Sequence, residues 1–166
     1  MMMKTSNITH KNWRLSVLRG LLTILMAGYL MVPDVALAKG KNGFVLETSR
    51  NDFATTVQKL QQAVSAQKLV LLKDYNVQMM IKMVGVKSKQ SMTFAIFHPR
   101  YGKVIYENDP DAFAAVPLQI IVQERGKKVV VGYKKPSEVF SDYDVPKKTK
   151  KELDKLLENI VKSATG

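Results

Sequence analysis

The chain contains no cysteine and only two histidines among its 166 residues. Without cysteine it can form no disulfide bond, thiolate nucleophile, covalent c-type haem attachment or iron–sulfur cluster. His10 lies in the N-terminal segment, which leaves His98 as the one histidine in the rest of the chain. One histidine forms a zinc site only if carboxylates complete it. Any hydrolase triad would likewise have to include His98.

Several motifs that carry chemistry are also missing from the sequence. There is no G-x-S-x-G nucleophile elbow, and the glycines at Gly40 and Gly43 do not form a phosphate-binding loop. Asp142 and Asp144 resemble the start of a calcium loop but lack its glycine and its closing glutamate. We therefore expect no metal ion, and the sequence gives no positive indication of an enzyme.

The N-terminal segment has the layout of a secretory signal peptide. A lead with four basic residues precedes a short apolar run from Leu21 to Val32, and Ala36-Leu37-Ala38 supplies a small-x-small exit. The run is shorter than the roughly 20 residues that a membrane span needs. We expect cleavage after Ala38 and a periplasmic protein. The alternative is an uncleaved anchor in the inner membrane.

Removal of residues 1–38 would leave 128 residues with 22 basic and 13 acidic side chains, a net charge of +9. This length suits one domain with its own hydrophobic core. We divide the remaining chain into a polar leader (39–42), a domain (43–145) and a basic amphipathic C-terminal helix (146–166) that packs on the domain.

Hydrophobic periodicity predicts the secondary structure of the domain. Apolar residues at helical spacing from Phe53 to Val64 predict a helix between strands at 44–48 and 69–72, and the continuous apolar run of the second strand suggests burial on both faces. A short helix is predicted over 77–84. Further strands are predicted at 92–97, 118–123 and 129–133, the last two as a hairpin.

The C-terminal segment completes the pattern. Residues 99–116 are mixed, with a break at Asp109-Pro110, and a short helical piece is predicted near 137–140. Pro146 suits the start of the last helix, in which five apolar residues from Leu153 to Val161 form one stripe. The predicted order is one strand, a helix, four strands and a final helix. This order predicts an α+β domain with the helices on one face of the sheet.

The quoted segments also resemble a known family. The strand end Phe94–Pro99, Asp109-Pro110-Asp111 and the segment Ala114–Val122 are similar to the domain-of-unknown-function family 302 (DUF-302) over roughly residues 43–145. The resemblance implies a fold like half of a TATA-binding protein, in β-α-β-β-β-β-α order with extra short helices, and often a dimer. Many members have cysteine at the position of Leu118 and asparagine at that of His98. The family has no established catalytic residues, and some relatives are linked to sulfur metabolism or haem-like cofactors.

The strand end and the methionine-rich segment before it supply the candidate site residues. His98 is a weak candidate for a general base or an axial haem ligand, and a strand-end structural role is the simpler interpretation. The many methionines are interpreted as lining of the core or of a pocket. We expect no cofactor, with haem as the alternative. The ligand-pocket candidates are Met80, Met83, Phe94, Phe97 and His98.

Lysines give the chain its strongest charge signal. They are dense on the predicted last helix and around the last strand, and such a surface binds an anionic membrane, nucleic acid or an acidic partner. An exported protein would not meet the nucleic acid of the cytoplasm, so we expect no nucleic-acid partner. A solvated helix face is the plainer interpretation. The candidate basic surface consists of Lys147, Lys148, Lys150, Lys151 and Lys155.

Three functional hypotheses follow from these observations. The first is a non-catalytic periplasmic domain, expected to be a homodimer, that binds a small ligand or an envelope protein. The second is an accessory enzyme or cofactor-binding protein of redox or sulfur metabolism that uses His98 with Tyr101 or Tyr106. The third is an envelope-surface protein that docks on anionic lipid through its lysine-rich helix.

Overall fold

The computed structural model describes residues 38–39 and 43–166. The predicted signal peptide therefore lies outside the described residues except for Ala38. Within those residues, no helix is long and apolar enough to cross a membrane. Cleavage, export and the membrane-anchor alternative stay predictions.

Six antiparallel strands form one sheet in the order β1-β2-β6-β5-β4-β3. The connection from β2 to β3 crosses the whole sheet, whereas β3 to β6 form a meander of neighbouring strands. The strands are β1 (Ala38–Lys39), β2 (Phe44–Ser49), β3 (Val70–Asn76), β4 (Ser91–Phe97), β5 (Leu118–Arg125) and β6 (Lys128–Lys134).

Two long helices and several short ones complete the fold, which is α+β as the sequence predicts. A 3₁₀ helix (Pro110–Ala115) precedes β5, and it begins just after the predicted break at Asp109-Pro110. The α-helices are α1 (Phe53–Ala66), α2 (Val77–Met83), α3 (Pro99–Asn108), α4 (Pro136–Val139) and α5 (Lys147–Thr165).

The core lies between the sheet and the two long helices, α1 and α5. The Asp52 side chain begins α1 by accepting a hydrogen bond of 2.7 Å from the Thr55 backbone amide. Buried side chains from both helices meet alternate residues of the strands, which all point to the same face. The predicted helical stripes are confirmed. Their buried members are Phe53, Leu60, Val64, Leu153, Leu157, Ile160 and Val161.

The alternation of the strands also defines a second face, which we call the opposite face because it points away from α1 and α5. One row of paired residues on it runs Phe44, Lys134, Gln119, Ala95 across four neighbouring strands. This register follows from the buried row beside it, in which Tyr133 pairs with both Val45 and Ile120. The opposite face therefore carries both polar and apolar side chains.

The structure corrects the predicted burial of β3. This strand lies at the edge of the sheet, and Val70 and Leu72 are 44% and 52% exposed. A register shift between Leu71 and Lys73 marks a bulge, which places Leu72 outside the regular pairing with β4. The continuous apolar run thus reflects an exposed edge strand, not a strand covered on both faces.

Candidate functional site

A cavity of about 390 Å³ opens on the opposite face, where the 3₁₀ helix passes into β5. The chain turns there through the Val116–Pro117 peptide bond, which is cis. Side chains of β2, β5, β6 and α4 close the other walls. The lining residues are Phe44, Ala114, Ala115, Val116, Pro117, Leu118, Gln119, Ile121, Lys134 and Val139.

Glycine at position 132 allows two apolar side chains of β2 to lie over β6. A Cβ atom on Gly132 would come within 2.9 Å of both Leu46 Cδ2 and Phe44 Cζ. Contacts that close would force the neighbouring side chains to move. The absence of a side chain at Gly132 therefore leaves room for the Phe44 ring, which forms a wall of the cavity.

Two polar side chains, from Gln119 and Lys134, stand in the otherwise apolar lining. They are direct cross-strand neighbours, because Ile120 pairs with Tyr133 one position away. Both residues are exposed, and within the described residues Lys134 forms no ion pair with a carboxylate. The cavity therefore offers a free ammonium group and an amide beside a hydrophobic floor.

His98 lies elsewhere, at the end of β4, where it is the N-cap residue of α3 without forming a capping hydrogen bond. Its ring meets the Tyr101 ring edge to face, with 4.8 Å between the centroids. Its Nδ1 atom is buried and has no hydrogen-bond partner among the described residues. The adjoining gap is only about 20 Å³, which is room for a water molecule at most.

Burial lowers the pKa of His98, and the positive charges of Arg100 and Lys68 lower it further. The imidazole is consequently neutral at neutral pH. The neighbouring Tyr101 hydroxyl has a raised pKa, chiefly because of burial and then because of Glu152. A neutral imidazole beside a protonated phenol suits a packed strand end. It would also suit an acid–base pair if a substrate could reach it.

A second group of titratable residues lies between β2, β6 and α5. Burial raises the pKa of Tyr133 to about 12, and the carboxylates of Glu158, Asp154 and Glu47 add to this effect. Glu158 itself accepts a hydrogen bond of 2.6 Å from Lys162, which lowers the pKa of that carboxyl. No group of three histidine, aspartate or glutamate residues within 38–39 and 43–166 could hold a metal ion.

The structure does not bring the five ligand-pocket candidates together. Phe94 is fully buried in the core, whereas Phe97 and His98 border the small gap at the end of β4. Met80 and Met83 lie on α2, which follows the edge strand beyond the far end of β4. They are 54% and 79% exposed, so their interpretation as core lining is wrong. The reason is that neither α1 nor α5 extends over the short helix.

The basic candidate residues divide into two groups. Lys147, Lys148, Lys151 and Lys155 are exposed and border a shallow groove on α5. Lys150 instead turns inward, where its Nζ donates hydrogen bonds to the backbone carbonyl oxygens of Phe140 and Tyr143. It therefore fixes the connection between α4 and α5 and does not belong to a free cationic surface.

Sequence reasoning missed Phe44 and Lys134 as members of one cavity. The segment Ala114–Val122 supplied a predicted strand at 118–123 and a family resemblance, but none of its residues was predicted as a site residue. The alternation of β5 does predict that Gln119 and Ile121 share a face. Phe44 and Lys134 come from strands far apart in the sequence, and only their pairing in the sheet places them beside Gln119.

The architecture places this protein in the α+β class. It is an antiparallel sheet with two long helices on one face and a cavity on the opposite face. Residues 45–163 match the profile of the family DUF302, a domain of unknown function, so the chain belongs to that family. A crystal structure of a DUF302 protein from Bacillus stearothermophilus has the same fold, with a TM-score of 0.69 at 12% identity. The similarity covers 74% of this chain and 98% of that one. Comparison with curated proteins found no match.

Proposed function

We propose that this DUF302 domain is a non-catalytic binding module whose cavity on the opposite face holds a small ligand with an apolar body and an anionic group. The observation that carries the proposal is the set of side chains that line the cavity, which are apolar except for those of Gln119 and Lys134. Its volume of about 390 Å³ is within the range of roughly 300–1,000 Å³ that is usual for small-molecule sites.

The physical reason for an anionic group is the Lys134 ammonium in the cavity lining, which forms no ion pair with a carboxylate among the described residues. An apolar ligand body gains free energy by leaving water against the hydrophobic lining. A carboxylate or sulfonate on the same ligand would form a charge-assisted hydrogen bond with Lys134 and accept another from the Gln119 amide. In the proposed setting, the ligand is met in the periplasm after the signal peptide has been removed.

Decanoate, used below its micelle concentration, provides a direct probe of this site. Titration followed by calorimetry and by NMR should place the largest chemical shift changes at Ile121 and Lys134. Decanol should bind more weakly, because it lacks the charge. Replacement Lys134→Gln should weaken decanoate binding at least fivefold and leave decanol binding almost unchanged.

Lys128→Gln is the matched control, since Lys128 is exposed at the other end of the same strand and does not line the cavity. It should leave decanoate binding unaltered. Equal losses for the two lysine variants, or decanoate shifts that map away from the cavity, would overturn the proposed site.

The second candidate function is an accessory enzyme or cofactor-binding protein of redox or sulfur metabolism that uses His98. Its support is the buried and unpartnered Nδ1 atom and the nearby Tyr101 ring. The gap beside the imidazole is far smaller than the cavity on the opposite face, so the geometry favours the binding module.

A further inference from the structure

Exposed hydrophobic side chains are concentrated in one short stretch of the chain. Nine large apolar or aromatic residues are exposed in the described part of the molecule, and eight of them fall between residues 70 and 86. Scattered exposed hydrophobic residues are ordinary, but a continuous group marks an interaction surface. The eight are Val70, Leu72, Tyr75, Met79, Met80, Met83, Val84 and Val86.

This stretch, extended to residues 70–90, is called the α2 edge and lies at one edge of the sheet. β3 is an edge strand, α2 has no buried residue, and every residue from Lys82 to Gln90 is exposed. The chain turns at Gly85, whose φ of +81° is favourable for glycine. The eight exposed apolar side chains of the α2 edge therefore serve no core in the described structure.

The methionines of α2 share one side of the helix. Because successive residues are about 100° apart around a helix, Met79, Met80 and Met83 fall within one arc of about that width. Val77 and Ile81 lie on the other side, where they are half-buried beside β4. Flexible methionine side chains conform well to an irregular apolar partner. The helix thus presents an adaptable hydrophobic face outward.

Exposed lysines occur along the same stretch as this hydrophobic face. The α2 edge contains four lysines and a single carboxylate, Asp74, and all four lysines are exposed. Within the described residues none of them forms an ion pair with a carboxylate. They are Lys73, Lys82, Lys87 and Lys89.

Exposed apolar side chains in a stretch rich in lysine are complementary to an anionic bilayer. Its acyl region accepts the apolar groups, while its headgroups attract the lysines. A second copy of this chain is a poor occupant, because two equally basic surfaces would repel each other. We propose that the α2 edge docks on an anionic phospholipid surface, with Met79, Met80 and Met83 inserted at the boundary between the headgroups and the acyl chains.

The absence of cysteine makes a local test possible in the full chain. A single Met83→Cys substitution places an environment-sensitive nitrobenzoxadiazole label at the α2 edge. Tyr106→Cys places the same label at the one exposed large hydrophobic residue that lies outside that stretch in the described part of the chain. Both chains keep the N-terminal segment, so any binding through that segment is common to them. The probes are phosphatidylglycerol–phosphatidylcholine vesicles and vesicles of phosphatidylcholine alone.

We expect the Met83 label to shift its emission to the blue on the anionic vesicles only, and the Tyr106 label to stay unchanged. Salt should weaken the response, because it screens the lysines. Double replacement Lys82→Gln and Lys87→Gln should weaken the response of the Met83 label at least threefold. The equivalent pair on α5, Lys148→Gln and Lys151→Gln, should leave it within experimental error.

The opposite results would overturn the proposal. Equal responses from the two labels, or none from Met83, would show that the α2 edge does not insert. A larger loss for the α5 pair would assign docking to the lysine-rich helix instead. If acidic polyglutamate shifted the Met83 label but anionic vesicles did not, the surface would be one for an acidic protein.

Discussion

At the scale of single residues, His98 and Lys134 have different surroundings although both are polar groups at strand ends. Burial and neighbouring cations keep the His98 imidazole neutral, and its Nδ1 atom faces the protein interior. Lys134 is exposed at the rim of a cavity with an apolar floor. A ligand could reach Lys134 without disturbing the fold, whereas His98 Nδ1 is buried beside a gap of only about 20 Å³.

The lowered pKa of His98 predicts how stability depends on pH. Between its pKa in the folded state and its ordinary value near 6.5, the unfolded chain binds more protons than the folded chain. The free energy of unfolding should therefore fall as the pH decreases below about 6.5. Urea unfolding at pH 7.5 and 5.5 should show a smaller fall for His98→Gln than for the parent chain.

This comparison isolates His98, because His10 and all carboxylates are present in both chains. An equal fall in the two proteins would show that the folded-state pKa of His98 is not lowered.

At the scale of secondary structure, the sequence predicted correctly those elements whose hydrophobic pattern matches the burial that the structure shows. The stripes of α1 and α5 and the hairpin of β5 and β6 fall within one or two residues of their predicted positions. Burial of β3 was predicted wrongly, because an apolar run does not reveal whether a strand lies at the centre or the edge of a sheet. Strand order is decided by pairings between distant segments, and no local pattern encodes it.

The candidate site was predicted less well than the fold for the same reason. His98 was a candidate because it is the one histidine outside the N-terminal segment. Its position at a strand end was predicted correctly. The cavity depends on Phe44 and Lys134, which are ninety positions apart in the chain and become neighbours through the pairing of β2 with β6. A Cβ atom at position 132 would come within 2.9 Å of the Phe44 ring, so any other residue there would shift that ring.

The hydrogen bonds of Lys150 connect α5 to the segment that follows α4. We therefore expect its replacement to lower stability more than replacement of an exposed lysine on α5. Its ammonium group satisfies the carbonyl oxygens of Phe140, just after α4, and of Tyr143. Lys150→Met keeps most of the apolar stem but leaves those oxygens without this donor. We expect a loss of about 1–3 kcal/mol in the free energy of unfolding, measured by urea denaturation.

Lys151→Met is the matched control, because Lys151 is the next residue of α5 and is exposed. Its effect should remain within about 0.5 kcal/mol. Similar values for the two variants would mean that the contacts of Lys150 with the connection contribute nothing to stability.

At the scale of the whole molecule, α5 is part of the domain and not an appendage to it. The helix contacts α1, α4, β2 and β6, and its buried stripe covers the same face of the sheet as α1. The backbone amide of Arg50, at the end of β2, donates a hydrogen bond of 3.0 Å to the Thr165 carbonyl oxygen. The beginning and the end of the described domain are thereby joined.

A chain that ends at Val145 should therefore fail to fold cooperatively. Without α5, the fully buried Val131 and Leu60 would lose the side chains of Leu157 and Ile160 from the shared core, and a sheet with one helix buries too little apolar surface to offset its conformational entropy. We expect a thermal transition without a sharp midpoint and poorly dispersed NMR amide signals. The full chain, under the same conditions, should unfold in one transition. A sharp transition in the shortened chain would show instead that residues 43–145 form a self-sufficient core and that α5 only covers it.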